Sequence, residues 1–132
     1  MTDVITYETL YDLLRKEKYN QAIQEMDKDF FKSVMKYLEE KENLITNSPK
    51  DSLFSKEITN ARKQAENAKK LIRELYERRE NKITQCALLA SRSNTKEEFP
   101  LLPEERKLFT DVCAVFDKYR KEILENIFNN QP

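Results

Sequence analysis

From Ser55 to Arg92 the chain contains no proline, and glycine is absent from all 132 residues, so nothing in that stretch interrupts a helix. A helix of that length would span roughly 55 to 60 Å at 1.5 Å rise per residue. That is far more than a small globular core needs, and the extra length predicts a partner. Its distal half runs LIRELYERRENKITQCALLASRS, from Leu71 to Ser93.

The missing glycines also remove phosphate-cradling loops, which need positive φ or close backbone approach to a ligand, so a Walker loop and a dinucleotide fingerprint are both excluded. Histidine is absent too, which takes away the commonest general base and the commonest zinc ligand. Cys86 and Cys113 lie far apart without metal-ligand spacing and read as core thiols. The composition therefore predicts no cofactor, no metal site and no enzyme. No apolar run approaches the roughly 18 residues of a membrane span, and MTDVITYETL lacks the basic and apolar regions of a signal peptide. A reducing, cytoplasmic setting is the expectation.

Charge gives little direction overall, since 24 basic residues balance 24 acidic ones. Lys56 to Arg92 is locally basic, ten against five. Those cations are spread around the helix among Glu66, Glu74, Glu77 and Glu80, unlike a continuous basic stripe, so direct nucleic-acid contact is expected to be weak or absent.

Four helices are predicted, packed as an all-α bundle around the long central one. Thr6 caps the first, with apolar Tyr7, Leu10, Tyr11, Leu13 and Leu14, an acid at its start and cations at its end. Asp27 is the expected cap of the second, with Met26 stapled to Phe31, and Asn47-Ser48-Pro49 ends it. Pro103 opens the fourth, followed by Glu104 and Glu105. Leu108, Val112, Phe116, Tyr119, Ile123 and Ile127 run down its side, making it the most clearly amphipathic of the four.

Read in heptads, the long helix places Ile58, Ala65, Ile72, Arg79 and Cys86 at one seam position, with Ala61, Ala68, Leu75, Lys82 and Leu89 at the other. The seam meets charge at Arg79 and Lys82, and apolar character moves to Tyr76, Ile83, Ala87 and Ala90. That shift behaves like a four-residue stutter. One stretch is thus expected to pack within its own domain while another meets a neighbouring subunit. The interface candidates are Ile72, Leu75, Tyr76, Arg79, Ile83, Cys86 and Leu89. Arg79 either snorkels or is a buried guanidinium paired with a carboxylate, which must come from another helix.

Acid pairs such as Asp27 and Asp29, or Glu39, Glu40 and Glu42, read as caps and a solvated face rather than catalytic dyads. Ser91 and Ser93 have no histidine to activate them.

The segments DFFKSVMKYLEEKENLI, EITNARKQAENAKKLIRELYERRENKITQCALLASRS and LLPEERKLFTDVCAVFDKYRKEIL, in that order, resemble the helical domain of an archaeal GINS subunit. The likeness runs from about Tyr7 to Phe128 and is best from Leu75 to Ser93. It implies a helical A-type domain over residues 1–128, with 129–132 beginning a linker to a small β-rich domain that is absent from these 132 residues. It also implies a non-catalytic subunit of a homo- or hetero-tetrameric replication factor, joining the MCM helicase to a Cdc45/RecJ-like protein at nucleoid-associated replication forks. Leu102 departs from the family's pattern, which often has a capping threonine there, and the start of the fourth helix is expected to be less tightly fixed. The alternative is a stand-alone helical adaptor that binds a partner helix or peptide.

Overall fold

The computed structural model describes residues 4–47, 55–93 and 98–129. It is an all-α bundle of four helices: α1 (Tyr7–Tyr19), α2 (Phe30–Asn47), α3 (Ser55–Ser93) and α4 (Pro103–Phe128). Among the described residues no helix is long and apolar enough to cross a membrane. Ser48, Pro49 and the tail 130–132 lie outside the described residues.

Thr6 caps α1 as its sequence predicts, its hydroxyl accepting from the Thr9 N–H at 3.1 Å. At α2 the helix starts later than a cap at Asp27 implies. The Asp27 side chain instead bonds the Asp29 N–H at 2.8 Å, and its carbonyl accepts from Phe30 N–H at 2.9 Å. An aspartate that bonds the backbone two residues on makes its own turn. Asp29 then occupies the cap position, its carbonyl taking the Ser33 N–H at 2.9 Å.

All three other helices pack on α3, and among the described residues none of them packs closely on another. The spine suits that role because its inner face is narrow. Ala61, Ala65 and Ala68 are buried, Ala68 completely, so neighbouring backbones approach closely. Leu10 and Leu14 of α1 and Phe30, Val34 and Tyr37 of α2 close over Ala68 and Leu75. Complete burial of a leucine such as Leu75 contributes about 2 kcal/mol.

Past Arg79 the buried positions step by four to Ile83 and Ala87, the stutter expected from the sequence. This second face is covered by the chain itself. Ile23, Leu101, Phe99, Leu108 and Phe109 gather around Ile83 and Cys86, and the Phe99 and Phe109 rings meet edge to face at 5.8 Å.

Helices α3 and α4 run parallel. Arg79 meets Glu105, Ala87 meets Cys113 and Ser91 meets Asp117, each pair 26 residues apart. On that register Ser93, the last residue of α3, lies level with Tyr119. The rest of α4 therefore overhangs the spine, and every residue from Lys121 to Asn129 is exposed.

Candidate functional site

A largely buried ion network lies where α1, α3 and α4 converge. Arg79 of α3 donates Nε and Nη2 to the two carboxylate oxygens of Glu105, both at 2.7 Å. Its Nη1 donates to Glu17 of α1 at 2.7 Å and to the Gln24 carbonyl at 2.9 Å. Lys82, one turn on, donates to the other Glu17 oxygen at 2.6 Å and to the Asn20 and Ala22 carbonyls. Gln24 completes the cage with its backbone and side-chain N–H groups on Glu17.

Two cations face two carboxylates, so the buried charge is balanced. Burial alone would raise the Glu17 carboxyl; hydrogen bonds from Lys82, Arg79 and Gln24 outweigh it and hold the group below its ordinary value. Burial likewise works against the Arg79 guanidinium, and the Glu105 and Glu17 carboxylates reverse the effect and raise it. A pair this buried is strong evidence of geometry rather than of net stability, because desolvation offsets much of the attraction. Its clearest consequence is to fix α1 and the start of α4 in register on α3.

Glu105 has a second duty. Leu102 supplies no side-chain acceptor, but Glu105 Oε1 takes the Leu102 N–H at 2.8 Å. This reciprocal half of a capping box fixes the helix start that a missing threonine was expected to loosen.

The sequence-derived interface candidates separate into three groups. Leu75, Arg79, Ile83 and Cys86 are buried under the chain's own helices. Ile72 is half-buried at the edge of the first core cluster. Tyr76 and Leu89 are half-exposed on the surface. Of the two thiols, Cys86 is buried and Cys113 is partly so, with its Sγ donating to the Ala87 carbonyl at 3.3 Å. Burial raises the Cys113 thiol, and Asp117 adds to the rise.

Two open apolar grooves flank α3. One, of about 490 Å³, has Phe31 and Leu38 of α2 on one wall and Ile72 and Tyr76 of α3 on the other, with Lys69 and Arg73 at its lip. The other, also about 490 Å³, lies between Ile23, Cys86, Leu89 and Phe99. The third apolar surface is the α4 overhang, where Ile123 is 55%, Ile127 61% and Phe128 77% exposed. The periodicity of α4 was visible in the sequence, but its parallel register and its lack of cover were not. Among the described residues no group of three His, Cys, Asp or Glu side chains is placed to hold a metal ion.

This arrangement defines a class: an all-α protein built on one long spine, carrying apolar surfaces that the described residues leave open. Set against family models, curated proteins and solved structures, the chain matches none of them.

Proposed function

We propose that this chain is a non-catalytic assembly subunit of the GINS type. In this reading it joins a tetramer, homo- or hetero-oligomeric, that links the MCM replicative helicase to a Cdc45/RecJ-like protein at replication forks. The observation that carries the assembly role is the α4 overhang. A helix that continues past its support with Tyr119, Ile123, Ile127 and Phe128 exposed leaves apolar area in water that a second protein surface would remove. The replication setting rests on the sequence resemblance. Contact with DNA is not required, since the α3 cations are interspersed with acids.

Co-expression with a second GINS subunit, the MCM helicase and a RecJ-like protein tests this reading. The chain is expected to co-purify with the GINS subunit and to bring the other two with it. Failure to retain any of them overturns the replication assignment.

The groove between Ile23, Leu89 and Phe99 favours a second reading, a helical adaptor holding a partner helix or peptide. Binding that survives Ile127→Asp but is lost on Leu89→Asp would favour the adaptor over the assembly subunit.

A further inference from the structure

Two of the open surfaces on this protomer complement each other. We propose that the α4 overhang of one copy docks in the α2–α3 groove of a second copy of this chain. The inference rests on the assembly reading and names the partner.

The groove is apolar inside, with Phe31, Leu38 and Ile72 along it, and cationic at the lip. Lys69 and Arg73 are exposed and have no ion-pair partner among the described residues. Its occupant must therefore bring apolar side chains flanked by negative charge. Residues Glu122 to Phe128 have that chemistry: Ile123, Leu124, Ile127 and Phe128 are exposed beside Glu122 and Glu125, with no basic residue among the seven. Neither glutamate has an ion-pair partner among the described residues. The carbonyl end of α4 also carries the negative pole of its helix dipole, and its last turn has no cation to offset it. Lys69 and Arg73 of a second copy supply that charge.

The contact cannot form within one protomer. Glu105 lines the groove, and Ile127 stands roughly 30 Å further along α4 at 1.5 Å per residue. Docking between copies is heterologous, knob into groove, and each contact leaves a further knob and groove free. A reciprocal pair closes on a two-fold axis; otherwise the chain extends. Zero net charge on each copy adds no long-range repulsion.

Sedimentation equilibrium on the full chain tests this with a knob variant, Ile127→Asp, and a lip variant, Arg73→Glu. Both residues are exposed, so neither substitution disturbs the core, and circular dichroism with a thermal melt verifies the fold. Phe128→Asp and Lys69→Glu replace either variant that fails to fold. The wild type is expected to self-associate with concentration, and each variant alone to associate at least about tenfold more weakly. An equimolar mixture of the two variants retains one intact knob and one intact groove, and is expected to form a dimer and nothing larger. A wild type that stays monomeric, variants that associate as well as the wild type, or a mixture that remains monomeric overturns the proposal. A monomer that still co-purifies with another GINS subunit would overturn this pairing and leave the assembly reading standing.

Discussion

Arg79 on α3 and Glu105 on α4 meet through two parallel hydrogen bonds of 2.7 Å, with Nε donating to Oε2 and Nη2 to Oε1. The guanidinium's third nitrogen reaches Glu17 on α1. One side chain therefore holds two helices on the spine, and both its guanidinium and the carboxylates it meets are buried.

Arg79→Ala leaves two carboxylates buried against a single remaining cation, Lys82. Breaking a buried pair by removing one partner costs about 3 to 5 kcal/mol. Urea denaturation should show the midpoint falling accordingly. Arg79→Lys should also destabilise, because an ammonium cannot reproduce the planar two-bond contact with Glu105.

Acid should weaken the fold through Glu17. Its carboxyl titrates below its ordinary value of 4.5 in the native state, so the unfolded chain binds the proton more readily. The stabilisation from this group is present above pH 4.5 and is lost as pH falls through the lower native value. Glu17→Gln should lower stability at neutral pH and flatten that acid-side slope, as read from denaturation midpoints between pH 3 and 7.

Tyr37 is buried and its hydroxyl has no hydrogen-bond partner among the described residues. An unsatisfied buried polar group costs about 1 to 3 kcal/mol. Tyr37→Phe removes that group and keeps the ring against the core, so the melting temperature is expected to hold or rise. A clear fall would show that the hydroxyl has a partner.

Leu75 separates core from surface. It is 2% exposed, so Leu75→Asp buries an unpaired charge and should abolish cooperative unfolding outright. Lys63→Asp on the solvated side of α3 should shift stability by no more than about 0.5 kcal/mol.

Much of the fold was legible because local signals agreed with it. Thr6, Pro103 and the three-and-four spacing in each helix mark elements that the structure places where expected. At Asp27 a local side-chain bond competed with the helix and delayed its start by two residues. The buried network was half visible: Arg79 in the seam left two readings, a snorkelling cation or a buried guanidinium paired with a carboxylate from another helix, and did not say which helix. Glu17 offered a signal of the same kind, since it continues the Leu10–Leu14 face of α1, where an acid is out of place unless it is paired. The cover on Ile83 and Cys86 was not legible, because the parallel register of α3 and α4 depends on a return path that no single-helix periodicity encodes. That cover buries Ile83 and Cys86 on the distal part of α3 and leaves the free end of α4 exposed.

The most direct measurement is the sedimentation-equilibrium mass of the intact chain, whose protomer is 15.8 kDa, alone and with a second GINS subunit. The account predicts a mass above the protomer value that rises with concentration and returns toward 15.8 kDa on Ile127→Asp. A mass fixed at the protomer value in both settings would contradict it.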